Sequence, residues 1–233
     1  MSRHRDDRIV AAIAGRIPAW KGEEVMDEIG LFDAIYSQRQ FTRYKPDPVP
    51  REALDTIIDA ATKAPNGGNT QPWEFLVMTE REIVTKVGAL YRDAWLGAMG
   101  AEPAPDESSI YRAARYLAHH MPEVPAMILV CADHTLGSAP YTPGQPIERG
   151  RYASSIWLAV QNIFLAARAL GLGTRLTTAF LRREDDMKEL LGIPEHVEPM
   201  ALIPVGYPQG NFGPTTRRPT AEVTSYNHYG NRG

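Results

Sequence analysis

Three segments of the 233-residue sequence gather the donor groups needed to hold an anion and a flat polar ring. Gln38-Arg39-Gln40-Phe41-Thr42-Arg43 brings guanidinium, amide and hydroxyl donors together. Just beyond it, the prolines of Lys45-Pro46-Asp47-Pro48-Val49-Pro50 fix φ and remove N–H donors, so regular structure stops there. In Pro65-Asn66-Gly67-Gly68-Asn69 two glycines let backbone approach a ligand closely, and two amides both donate and accept. Thr216-Arg217-Arg218-Pro219 adds two planar forks of the kind that engage phosphate oxygens in pairs. Taken singly, each has a plain explanation, as a solvated helix end, a surface turn and a solvated tail, and that explanation is the preferred one. Taken together they offer an anionic group two arginine clusters, and a planar ring a glycine-rich wall.

The remaining chemistry-bearing residues exclude several function classes. No Gly-x-Gly-x-x-Gly follows a strand, and no Walker-type loop, Gly-x-Ser-x-Gly elbow or His-Glu-x-x-His is present. His119 and His120 are adjacent, so on a helix their rings diverge and cannot share one metal ion. Cys131, the lone cysteine, rules out an internal disulfide, and its apolar run Met127–Cys131 marks it as a buried structural thiol. With 25 basic and 28 acidic residues the net charge is −3, which removes the basic surface that nucleic acid requires. Only five basic residues are lysine, so the chain is rich in arginine forks. No apolar run reaches the ~20 residues of a membrane span. Asp6 and Asp7 spoil a signal-peptide pattern, so a cytoplasmic protein is expected.

The elements that must position these groups follow from periodicity and turn residues. Residues 1–24 read as an extension broken by Pro18, and 25–233 as one domain. A helical pattern starts at Glu24 and runs towards Ser37, and a second helix covers Arg51–Lys63. Trp73–Met78 is a strand, and helices follow over Glu82–Met99 and Ile110–His120. Between those two helices, residues 100–109 form a loop whose composition fits either a lid or a plain surface connection. Ala126–Ala132 is a buried strand and 133–149 a long loop. Arg151–Leu170 is a helix apolar nearly all round, which places it at the protein's centre or in a subunit interface. Thr174–Phe180 reads as a strand, Glu184–Leu191 as a short helix and Pro199–Val205 as the last strand. A 43% hydrophobic chain of this length can bury a sizeable core, and the class is mixed α and β.

Four collinear motifs resemble the FMN-dependent nitroreductase superfamily. They are Gln38–Tyr44 with Lys45–Pro50, Ala64-Pro-Asn-Gly-Gly-Asn-Thr-Gln-Pro-Trp73, the helix Trp157–Thr174 and the basic Arg217-Arg218-Pro219. The resemblance implies an α+β fold: a central, mostly antiparallel sheet flanked by helices, in an intertwined homodimer with FMN at each interface site. It implies that Gln38, Arg39, Gln40, Thr42 and Arg217 hold the ribityl phosphate, with Arg218 or Arg43 helping. Gln38 stands where the family has an arginine and Gln40 where it has a serine, which puts the load on Arg39 and Arg217. Pro65, Asn66, Gly67 and Asn69 would line the flavin from the other subunit, with Gly68 towards substrate. Thr177 and Thr178 match donors near flavin N5.

The implied activity passes a hydride from NAD(P)H through flavin N5 to a small aromatic, quinone or nitro acceptor, with no side-chain nucleophile required. Two alternatives stay open. One is a reductive dehalogenase similar to iodotyrosine deiodinases, whose lid supplies Glu, Tyr and Lys; residues 100–120 hold Glu107 and Tyr111 but no lysine. The other is a flavin-sequestering protein without turnover.

Overall fold

The computed structural model describes residues 29–137 and 141–232. The extension over residues 1–24 and the start of the helical pattern at Glu24 therefore lie outside the described residues. Six α-helices are described: α1 (Leu31–Ser37), α2 (Arg51–Ala61), α3 (Arg81–Met99), α4 (Ser109–His120), α5 (Ala153–Ala169) and α6 (Glu184–Leu191). Four strands, β1 (Trp73–Met78), β2 (Ala126–Asp133), β3 (Gly173–Thr174) and β4 (Val197–Gly206), form one sheet in the order β1-β2-β4-β3. Every neighbouring pair is antiparallel, as expected for this fold class.

Helices cover both faces of the sheet, and that is why the two middle strands are buried along almost their whole length, with Glu198 the charged exception inside β4 and paired with His134. Successive side chains of β2 point to opposite faces. Ala126, Ile128, Val130 and Ala132 pack in one core with Leu54 and Ile57 of α2 and Ile156 and Ile163 of α5. Met127, Leu129 and Cys131 pack in the other with Val84 and Tyr91 of α3 and Leu117 of α4. Burial pushes the Cys131 thiol up to about 12, so it stays protonated and inert.

Local signals explain most boundaries. Leu54, Ile57 and Ala61 recur on one buried face of α2. The Ser108 hydroxyl caps α4 by accepting from the Tyr111 N–H. α6 opens with Glu184, Asp185 and Asp186, which suit the positive end of its dipole, and closes on Gly192 at φ 65°. β4 begins two residues before the expected Pro199. The register skips Met200 opposite Val130 and Cys131 of β2, so β4 bulges beside Pro199, which is where a residue without an N–H is tolerated.

One expectation is corrected. Thr174–Phe180 is not a continuous strand: β3 ends at Thr174, a single bridge joins Thr177 to Leu202, and Ala179–Arg183 is a 3-10 turn. The threonines favour a strand locally. The Thr177 hydroxyl instead accepts from the Ala179 N–H, and Thr178 adopts φ −125°, ψ 4°. Side-chain capping outweighs β-propensity here.

α5 buries Ile156, Ala159, Val160, Ile163 and Phe164 but leaves Trp157 and Leu158 in solvent. The neighbouring α1 exposes Leu31, Phe32, Ile35 and Tyr36. Among the described residues no helix is long and apolar enough to cross a membrane.

Candidate active site

The Gln38–Arg43 segment lies against β3 on one side and the chain leaving β4 on the other. The Phe41 N–H donates to the Thr174 carbonyl (3.0 Å), and Gly213 N–H donates to Ser37 O (3.2 Å). Phe41 is buried edge-on against Phe212, their centroids 5.0 Å apart. Gly173 makes that fit: a Cβ there would lie 2.8 Å from the Phe41 ring. On the far side of the segment, the Gln209 amide donates to Tyr44 O (2.7 Å) and its backbone N–H to Arg43 O (3.1 Å).

Within this frame the predicted site residues separate. The Gln40 Oε1 accepts from the Leu176 N–H at 2.6 Å, so only its Nε2 remains to donate to a ligand. Gln38 donates to the Arg39 carbonyl, while the Arg39 side chain is exposed. Arg43 is committed elsewhere, its guanidinium stacked 3.4 Å from the Tyr116 ring centroid. His120 stacks on Tyr116 and bonds Glu123 (2.9 Å), so the histidine pair is divided between a ladder and solvent.

Thr177 and Thr178 also divide. Thr177 is buried, exchanges both backbone bonds with Leu202 (3.0 Å each), and its hydroxyl accepts from the Ala179 N–H (3.3 Å). Thr178 is exposed, and among the described residues its hydroxyl has no partner. Beside it opens a cavity of about 270 Å³ that no sequence motif announced, walled by Tyr91, Trp95 and Met99 and carrying Arg175 and Arg182. Burial pushes the Tyr91 phenol above its ordinary value, offset in part by the nearby Thr177 hydroxyl and by Arg175. Burial also raises Tyr44 well above the usual tyrosine range, against the opposing charge of Arg175. Both phenols stay neutral, and Arg175 sits within electrostatic reach of each. The available signal for this cavity was the arginine lying three residues before Thr178 in the very segment misread as a strand.

The Asn66–Asn69 turn and the tail arginines stand apart from this frame in the single chain. Asn66 bonds locally, accepting from Gln71 N–H (2.8 Å), and Gly68 and Asn69 adopt φ 61° and 53°. Arg217 is exposed, donating to its neighbour Thr216 O (2.8 Å), and Arg218 is exposed as well. Among the described residues no hydrogen bond or ion pair joins either group to Gln38–Thr42.

The 100–108 loop is pinned rather than loose. Arg115, buried on α4, holds the Gly100 and Ala101 carbonyls and forms an ion pair with Glu107, whose side chain is only 6% exposed. Glu107 is therefore engaged inside the protein by Arg115.

A model of the nitroreductase family matches residues 36–207. A Methanothermobacter thermautotrophicus protein provisionally named NADH dehydrogenase/NAD(P)H nitroreductase is 30% identical over 190 residues, covering 81% of this chain and 82% of that protein. Rattus norvegicus iodotyrosine deiodinase 1 is 27% identical over 197 residues, covering 82% and 67%. A Desulfovibrio desulfuricans protein crystallised in complex with FMN superposes with a TM-score of 0.62 at 27% identity, covering 87% of this chain and 99% of that one.

Proposed function

The chain belongs to the nitroreductase family, and from that premise we propose that it is an FMN-dependent oxidoreductase, active as a homodimer, that carries reducing equivalents from NAD(P)H to a small aromatic, quinone or nitro acceptor. The names and bound FMN of its relatives support the oxidoreductase class, the cofactor and the donor. The observation that carries the reading is the 2.6 Å bond from Leu176 N–H to Gln40, which joins the proposed phosphate-binding segment to the one that ends in Thr178.

The donor set suits such a cofactor. Arg39, Arg217 and Arg218 are exposed guanidiniums with no carboxylate partner among the described residues, and Thr178 offers an unspent hydroxyl. When bound, FMN supplies hydride transfer at N5, which none of these side chains can perform. Arg39 and Arg217 would hold the ribityl phosphate, aided by Arg218 and the amides of Gln38 and Gln40, with Thr42 completing the segment. Thr178 would donate to the ring nitrogen, while Thr177 keeps its segment tied to β4. Pro65, Asn66, Gly67 and Asn69 would close the ring's other side from the second subunit, leaving Gly68 towards substrate. The solvent-facing apolar side chains of α1 and α5 favour such a dimer, since burying them is worth about 25 cal/mol per Å².

Similarity to an iodotyrosine deiodinase keeps that activity in view, but the Glu107–Arg115 pair removes the glutamate its lid would need. Mixing the holoprotein anaerobically with NADH or NADPH tests turnover. The proposal expects bound flavin to lose its colour within the mixing experiment. It also expects Thr178→Val to keep FMN but reduce it at an altered rate. Flavin that neither nucleotide reduces would instead make this a sequestering protein. A Thr178→Val rate equal to wild type would remove the hydroxyl from the site.

A further inference from the structure

The cavity beside Thr178 carries charge of one sign only. None of the residues lining it is acidic. Among the described residues neither Arg175 nor Arg182 is hydrogen-bonded or ion-paired to a carboxylate, whereas Arg149, Arg151 and Arg183 all are. Arg175 is half-buried and Arg182 exposed, so one guanidinium lies inside the cavity wall and the other at its rim. A partly desolvated guanidinium without an anion is costly to keep, and the fork geometry of arginine fits a carboxylate two bonds at a time. Opposite this charge stand Tyr91, Trp95 and Met99, an aromatic and thioether wall suited to the face of a ring. At about 270 Å³ the cavity falls just below the roughly 300–1,000 Å³ of drug-sized ligand pockets, a size for a single ring and too small for a dinucleotide.

We infer that this cavity is the acceptor subsite and that it selects a small aromatic acid, its carboxylate held between Arg175 and Arg182 and its ring against Trp95 and Met99. The inference rests on the proposed oxidoreductase reading and narrows its substrate class. Thr178 lies on the same wall, so an acid seated there presents its ring beside the position proposed for N5. Nothing covalent is asked of the arginines; they bind and orient.

Calorimetric titration of the purified protein with 4-nitrobenzoate and with the uncharged 4-nitrobenzamide, in the absence of nicotinamide nucleotide, tests this without using activity. The acid is expected to bind at least tenfold more tightly than the amide. Arg182→Met and Arg175→Met should each bring that ratio towards one while leaving amide affinity within twofold. Arg175→Lys, which keeps the charge without the fork, should retain part of the preference. Because Arg182 is exposed, its variant stays informative should Arg175→Met fold poorly. Equal affinity for acid and amide in the wild type overturns the assignment, as does a preference that survives both methionine variants. The phosphate of NADPH is the other anion within reach of such arginines. Variants that lose a preference for NADPH over NADH while the acid-to-amide ratio holds would also overturn it. Binding of the acid needs no hydride transfer, so a protein that discriminates acid from amide yet is never reduced by NAD(P)H would sink the oxidoreductase reading and, with it, the acceptor role, while the aromatic-acid site itself would stand.

Discussion

Arg217→Ala is expected to weaken FMN binding about ten- to a hundredfold, and Arg183→Ala to leave it unchanged. The two arginines differ in what they already do. Arg183 is ion-paired with Asp186 at 2.5 Å at the start of α6, and the pairing raises its own pKa while lowering that of the aspartate. Arg217 is exposed and donates to one neighbouring carbonyl, so its guanidinium has capacity to spare for a dianion. A charge-assisted contact to phosphate is worth roughly 1.5–3 kcal/mol, which gives the tenfold to hundredfold range. Gln38 supplies a neutral amide where a second charge would otherwise share the load. The loss should therefore be larger here than in a chain with arginine at position 38. Equal dissociation constants for the two variants, measured by flavin fluorescence, would take the tail out of the site.

Arg115→Met is expected to be among the most destabilising substitutions outside the apolar core. It removes the partner of a buried carboxylate and leaves the Gly100 and Ala101 carbonyls without their donor. Breaking one side of a buried pair costs about 3–5 kcal/mol, which for a chain of this length lowers the melting temperature by about 6–20 °C. The double variant Glu107→Gln with Arg115→Met removes the stranded charge and should recover a large part of that loss. Melting curves at one protein concentration decide it. An Arg115→Met protein melting within 2 °C of wild type would mean that the 100–108 loop is held by something other than this node.

The part of this protein that could be read from its residues is the part governed by local pattern. β1 and α6 occupy the expected residues because short apolar runs between turn signals, an acidic first turn and a terminal glycine act within a few positions of themselves. The segment after β3 could not be read that way. Two threonines carry the same β-propensity whether their strand continues or turns, and the turn is decided by a hydroxyl bonding to Ala179. The Arg115–Glu107 node likewise joins residues eight apart across a loop, with no pattern to announce it. Composition made 100–109 look loose, because the cation that pins the loop belongs to the following helix.

The candidate site shows the same division. Gln38–Thr42 could be picked out as a donor cluster, but only the fold shows Gln40 half-spent on Leu176 and Arg43 lost to Tyr116. Arg175 and Arg182 drew no notice as sequence, since isolated arginines in an arginine-rich chain are ordinary. They become informative once three-dimensional packing sets them in one cavity with Trp95 and Thr178 and no acid beside them. The Asn66–Asn69 turn and the tail arginines remain apart in the single chain, which is where a second subunit would have to act.

The absorbance spectrum of the purified full chain tests the central claim most directly. The proposal predicts a yellow protein with the maxima of an oxidised flavin, close to one FMN per chain, released on denaturation as FMN rather than FAD. A colourless protein that takes up no FMN when the cofactor is added back would contradict it.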